Sequence, residues 1–146
     1  MRKFLNVLSM LAMVMMVSVA LWFYLTTDKM AVPMHWNAIG DIDNYGKTWT
    51  ILVLAAVGVG VYLLLLLQQK VASLDVPFTV SDPERARPLI KMLLAWMTFF
   101  VCLIFLYVVG AVAQLYPLAA WIVLIDVLAM FVVMGYYIYR VKKSQS

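Results

Sequence analysis

Polar residues are sparse along this chain and gather between four long apolar runs, at 4–25, 49–67, 92–113 and 118–139. Crossing the hydrocarbon core of a bilayer takes roughly 20 helical residues at about 1.5 Å each. Each run therefore predicts one spanning helix. The runs are continuous rather than alternating, which excludes the period-two pattern of a membrane β-barrel. Asn6, Ser9 and Ser18 are the only polar interruptions of the first run. That run has a rival reading, because Arg2 and Lys3 precede it and Ser18-Val19-Ala20 resembles a signal-peptidase site. Leu21-Trp22-Phe23-Tyr24-Leu25 carries the apolar stretch past that point, so an uncleaved first span is expected. The expected fold is an all-α membrane protein, a four-transmembrane-helix bundle forming a single domain over 1–146.

Composition removes the competing classes. The chain is 66% hydrophobic and 12% charged, with mean hydropathy +0.99. A soluble domain is about half apolar and a quarter charged. A disordered chain, a disulfide-rich module and an ordinary soluble enzyme domain are thereby excluded, and 146 residues leave no room for an attached catalytic domain. The single cysteine, Cys102, lies inside an apolar run, which excludes an intrachain disulfide and a multi-cysteine zinc site. The 11 methionines scatter through the spans and read as packing filler rather than a copper pathway.

The placement of charge orients the bundle. Two basic residues precede span one, four (Lys70, Arg85, Arg87, Lys91) lie between spans two and three, and three (Arg140, Lys142, Lys143) follow span four. Only Lys29 and Lys47 lie in the other loops. Basic residues stay on the cytoplasmic side, so both termini are expected inside and the 28–48 loop outside. Trp22, Tyr24, Trp36, Tyr45, Trp49, Tyr116 and Trp121 gather near the outer boundary, and Tyr136, Tyr137 and Tyr139 near the inner one. Amphipathic rings favour such interfaces, so these read as anchors.

The outer loop carries the densest chemistry. Asn37-Ala38-Ile39-Gly40 and Asp43-Asn44-Tyr45-Gly46 are two turn signals, with glycine available for positive φ. An ordered, hairpin-like cap is expected. Asp41-Ile42-Asp43-Asn44-Tyr45-Gly46 resembles the start of an EF-hand, but the twelfth position would be Leu52, where a bidentate Glu is needed. His35, Asp41 and Asp43 could offer one nitrogen and carboxylates to a divalent cation, a thin ligand set. The competing role for His35, Asn37, Asp41 and Asp43 is to hydrogen-bond turn backbones. No metal and no cofactor are expected.

The segment Pro33-x-His35-Trp36-Asn37-x-x-Gly40-x-x-Asp43-x-Tyr45-Gly46-Lys47 resembles the signature of a bacterial and archaeal membrane domain of uncharacterised function. That domain includes the immunity protein of the sporulation-delaying toxin system. This chain departs from the commonest spacing only at the end, where Lys47 directly follows Gly46. The resemblance covers spans one and two, extends more weakly over the inner loop, and reaches the last two spans only as apolar helices. It implies a small integral protein of the bacterial or archaeal cytoplasmic membrane, with immunity or signalling roles. His35, Trp36, Asn37, Gly40, Asp41, Asp43 and Lys47 are the candidate ligand-binding or loop-structuring residues.

The inner loop, 68–91, reads as a short extended piece over 76–80 followed by a helix start. Ser81 is placed as the cap, Glu84 completes a capping box, and Pro83 suits the first turn. Pro88 is expected to interrupt this short helix before span three. Arg85, Arg87 and Lys91 face either lipid headgroups, at about 1 kcal/mol each, or a cytoplasmic protein partner.

Asp126 stands near the middle of span four among Leu124, Ile125, Val127 and Leu128. A carboxylate there costs roughly 2.5–3.5 kcal/mol on insertion scales. It must face the bundle interior, be protonated or find a partner, for which Thr98, Tyr62, Tyr107 and Gln114 are the candidates. One role is a proton-linked or ligand-contacting group in a pocket opening outward. The other is an interhelical hydrogen bond of about 0.6 kcal/mol. On span two, Ala56 and Gly60 form a small-xxx-small pair with Gly58 nearby, which permits close helix contact within the chain or with another subunit.

Three functions compete. The first is a membrane binding or sensing protein, with an extracytoplasmic peptide, lipid or small-molecule ligand and a cytoplasmic relay segment. The second is a small proton-linked carrier using Asp126, which would need a homo-oligomer to build its pathway. The third is a membrane enzyme. It is disfavoured because the chain has no nucleophile–base pair, phosphate-binding glycine loop or zinc helix motif. Nothing points to nucleic acid.

Overall fold

Each apolar run becomes one helix. The computed structural model describes residues 1–37, 39–71 and 80–144. Its elements are α1 (Arg2–Thr26), β1 (Ala31–Trp36), β2 (Ile42–Lys47), α2 (Thr50–Val71), α3 (Pro83–Val112) and α4 (Ala120–Lys143). All four helices are long and apolar enough to cross a membrane. Even the shortest, α2 with 22 residues, extends about 33 Å against a hydrocarbon core of about 30 Å.

α3 is the hub, packing against α1, α2, α4 and the first strand. α1 turns a stripe inward: Leu5, Ser9, Ala12, Met13, Met16, Ala20 and Phe23 are buried at the three- and four-residue spacing of one helix face. Met16, Ile51, Cys102 and Val109 join that stripe in the main core. α2 comes close through Gly58, where an added Cβ would lie 3.0 Å from both Met16 Sδ and Phe105 Cδ1. Ala56 and Gly60 are both exposed, Ala56 on a groove shared with Val17 and Leu21 of α1, and a Cβ on Gly60 would meet nothing. Within this chain the close approach of α2 is made at Gly58.

A polar link crosses the apolar interface of α2 and α3. Buried Gln69 donates through Nε2 to Thr98 Oγ1 at 3.0 Å, and Thr98 donates to the Leu94 carbonyl at 2.7 Å. α4 is peripheral. Only Tyr137 and Val141 are buried on it, while Leu124, Ile125, Leu128, Phe131 and Val132 are exposed. So large an apolar surface suits hydrocarbon rather than water.

Two expectations for the third helix are corrected. Its cap is Asp82 rather than Ser81: the Asp82 side chain accepts from the Arg85 N–H at 3.1 Å and its other oxygen pairs with Arg85 Nε at 3.0 Å. Pro83 then occupies the first helical position, where its missing N–H costs nothing. Pro88 does not interrupt the helix either; α3 runs unbroken from Pro83 to Val112. Pro88 removes one bond, to the Glu84 carbonyl, on a turn that is exposed. The long apolar run beyond it holds the helix straight through. The extended reading of 76–79 falls outside the described residues.

The basic residues of the termini and of the 80–91 segment all sit at one end of the bundle, where Val141 of α4 packs on Ala86 and Ile90 of α3. The strands β1 and β2 cap the opposite end as an antiparallel hairpin. This is the ordered cap expected for 28–48.

Candidate functional site

The hairpin is built around its irregularities. Ala31 pairs with Lys47, Val32 with Gly46 and Pro33 with Tyr45; the register then shifts, so that His35 pairs with Asn44 and Trp36 with Ile42. Met34 and Asp43 are left as extra residues. Such bulges re-aim side chains, and here Asp43 Oδ1 comes to 2.5 Å from His35 Nδ1. The pair is exposed, at 68% for His35 and 45% for Asp43, so its worth to stability is at most about 1 kcal/mol.

Asn37 organises the turn. Its Oδ1 accepts from the Ile39 N–H at 3.1 Å and the Asp41 N–H at 2.9 Å. Its backbone N–H donates to the Asp41 carbonyl, and its carbonyl accepts from the Gly40 N–H. Asp41 enters this turn through its backbone and does not join His35 and Asp43. Among the described residues no three His, Cys, Asp or Glu side chains form a metal-sized group. Lys47 is exposed at the end of β2, and its carbonyl accepts from Thr50 Oγ1 at 2.5 Å.

Gly40 ties the hairpin to the α3–α4 connection. Its φ is +94°, and a Cβ there would lie 2.9 Å from the Leu118 carbonyl oxygen. Gly40→Ala meets both strain and clash, so a loss of about 1–3 kcal/mol is expected. Hydrogen exchange across 31–47 should rise in this variant while the helical signal is kept. Unchanged protection of the hairpin would refute the role given to Gly40. A second tie runs from the Lys29 ammonium to the Gln114 side-chain oxygen. Gln114 itself sits at φ 57°.

Between hairpin and connection lies a cleft of about 230 Å³, lined by Pro33, Trp36 and Ile42 on one side and Gln114, Tyr116 and Leu118 on the other. Trp36 and Tyr116, expected as interfacial anchors, are wall residues here. Tyr116 is held in three ways. Its ring stacks on Tyr107 at 5.2 Å and 14°. Its hydroxyl donates to the Tyr107 carbonyl at 3.0 Å. Gly110 makes room for it, since a Cβ at Gly110 would lie 2.1 Å from the Tyr116 hydroxyl oxygen. Burial, and then the neighbouring Tyr107, push the Tyr116 phenol above its ordinary value of 10.0. The phenol therefore remains a proton donor well into the alkaline range. The Tyr107 hydroxyl in turn accepts from the Ala119 N–H at 2.7 Å, just before α4 begins.

Deeper along α3 and α4 a second cavity, of about 310 Å³, is lined by Leu103, Leu106, Tyr107, Tyr116, Ile122 and Asp126, among others. Tyr116 is common to both cavities. Asp126 Oδ2 is buried there with no hydrogen-bond partner. None of the partners expected for it bonds that oxygen: Thr98 bonds with Gln69 and Leu94, Tyr107 accepts from Ala119, and Gln114 accepts from Lys29. The interhelical lock expected as one role for Asp126 is thus not formed.

The candidate residues consequently fall into three places. His35, Trp36, Asn37, Gly40, Asp41, Asp43 and Lys47 belong to the hairpin, and Asp126 to the cavity below Tyr116. Arg85, Arg87 and Lys91 lie at the far end, with Arg85 paired to Asp82 and Arg87 exposed. Tyr107 and Gln114 were expected only as partners of Asp126, and Gly110 had no sequence signal as a site residue. Comparison with protein families, curated proteins and solved structures finds no match to this chain.

Proposed function

We propose that the chain is a multi-pass membrane binding and sensing protein of the immunity or signalling kind. Its hairpin end faces out of the cell, its basic end lies in the cytoplasm, and both termini are inside. The observation that carries the reading is the unpartnered Asp126 carboxyl in a cavity that shares Tyr116 with the cleft under the hairpin. Buried polar groups without partners are rare in folded proteins and mark places awaiting one. An amphipathic peptide or small molecule suits the site. Its apolar part would lie against Leu103, Leu106 and Ile122, and a donor group would meet Asp126.

The outward orientation rests on the basic residues gathered at the other end. The motif from Pro33 to Lys47 supports the immunity-like role by its resemblance to the family described above. The 80–91 segment would relay occupancy to a cytoplasmic partner. Replacing His35, Asn37 and Asp43 together by Ala should abolish protection or signalling while the protein still reaches the membrane in normal amount. Full protection by this variant would reject the hairpin's part. A carrier is the second reading, favoured by the same Asp126 carboxyl and requiring a homo-oligomer to complete a pathway.

A further inference from the structure

The end of the bundle opposite the hairpin carries a third cavity, of about 370 Å³, between the start of α1, the end of α2 and the first third of α3. Its walls are Arg2, Asn6, Leu66, Gln69, Lys70 and Lys91. Three cations converge from three different helices, and among the described residues no carboxylate lines the space. None of the three forms an ion pair among the described residues: Asp82, the nearest helix-capping carboxylate on α3, is paired with Arg85. Asn6 adds a second, independent mark. Its Oδ1 is buried and has no donor. Gln69, beside it, is already committed to Thr98.

The donors and acceptors define what fits. Three cationic side chains call for a group with several anionic acceptor oxygens, and phosphate is such a group. Asn6 Oδ1 calls for a hydroxyl or amine donor close to that anion. The pocket also lies where the apolar run of α3 begins, since Lys91 is followed by the run at 92–113. A ligand seated here has acyl-chain depth immediately beside it. Leu66 supplies an apolar wall on that side.

We infer that this cavity is a specific site for the headgroup of an anionic phospholipid bearing a hydroxyl, such as phosphatidylglycerol. The phosphodiester lies among Arg2, Lys70 and Lys91, and the headgroup hydroxyl donates to Asn6. This differs from general attraction of basic residues to a charged membrane surface, because it requires one bound lipid and discriminates among headgroups of equal charge. It stands independently of the ligand proposed at the hairpin end.

The full chain, delipidated in neutral detergent, provides the test. Native mass spectrometry counts bound lipid, and the reaction of the single buried thiol, Cys102, with a fluorogenic reagent on heating reports stability. Phosphatidylglycerol should bind at one per chain and raise the melting temperature. Phosphatidylcholine should do neither. Phosphatidylmethanol, equal in charge but lacking the hydroxyl, should bind more weakly. Lys70→Gln and Lys91→Gln should each weaken phosphatidylglycerol about fivefold, and Lys91→Arg should restore it. Asn6→Leu should erase the preference over phosphatidylmethanol. Lys143→Gln, which removes an exposed cation of the same end outside the pocket, should leave phosphatidylglycerol binding unchanged. Equal binding of phosphatidylcholine would overturn the inference, and so would a Lys143→Gln loss as large as that of Lys91→Gln. Displacement of the lipid by millimolar inorganic phosphate would assign the pocket to a soluble anion and overturn it as well.

Discussion

Asp126→Leu should make the protein more stable and functionally dead. The carboxyl oxygen Oδ2 is buried in the α3–α4 cavity with nothing to hydrogen-bond it. A buried unsatisfied polar group costs about 1–3 kcal/mol, and a leucine, although larger, can extend into the adjoining cavity with an apolar group. The gain should be of that order and should appear as a higher temperature for the reaction of Cys102. A structural carboxyl would give the opposite sign, because a partner would be orphaned by its loss. Protection or signalling should vanish in the same variant, since the one polar contact at the cavity floor is gone. Asp126→Asn divides the two functional readings. For a binding protein the amide keeps a hydrogen-bonding group in place and activity falls only partly. For a proton-linked carrier it abolishes proton-dependent flux into vesicles. A destabilised, fully active Asp126→Leu protein would sink both readings.

Legibility in the sequence follows the range of the interactions involved. The four long apolar helices were readable because the capacity to cross a bilayer depends on run length and apolarity, which are local. The hairpin was readable because Asn37 and Gly40 are local turn chemistry, and Gly40 does take a positive φ. What failed depended on rotation or register. Ala56, Gly58 and Gly60 look alike in sequence, but only the face of Gly58 turns toward Met16 and Phe105. Asp82 displaced Ser81 as the cap because Pro83 fixes the first helical position, whereas either placement keeps Pro83 within the first turn. The pairing of His35 with Asp43 depends on two shifts in strand register, which no propensity encodes. Asp126 was visible as an anomaly, yet its lack of a partner was not. That lack depends on where the side chains of other segments end up, which spacing along the chain does not encode. Tyr116 was read as one more interfacial ring; its seat on Gly110 is a contact between a helix and the connection that follows it.

That seat gives the second large effect. Gly110→Ala places a methyl 2.1 Å from the Tyr116 hydroxyl oxygen and 2.6 Å from its Cζ. The ring cannot give way while stacked on Tyr107 and bonded to its carbonyl, so it must leave. Stacking is worth about 0.5–1.5 kcal/mol, and the hydrogen bond a similar 0.5–1.5 kcal/mol. Alanine in a helix regains about 1 kcal/mol over glycine. The losses therefore win by a modest margin in stability. The functional loss should be far larger, because Tyr116 forms a wall of both cavities. A double-mutant cycle separates the clash from any other effect of the substitution. With Tyr116→Ala already in place there is no ring to displace, and only the helix-propensity gain remains. Gly110→Ala should then be neutral or stabilising, by up to about 1 kcal/mol. An equal cost in both backgrounds would show that Gly110 serves the helix rather than the tyrosine, and the two cavities would lose their common wall as a point of control.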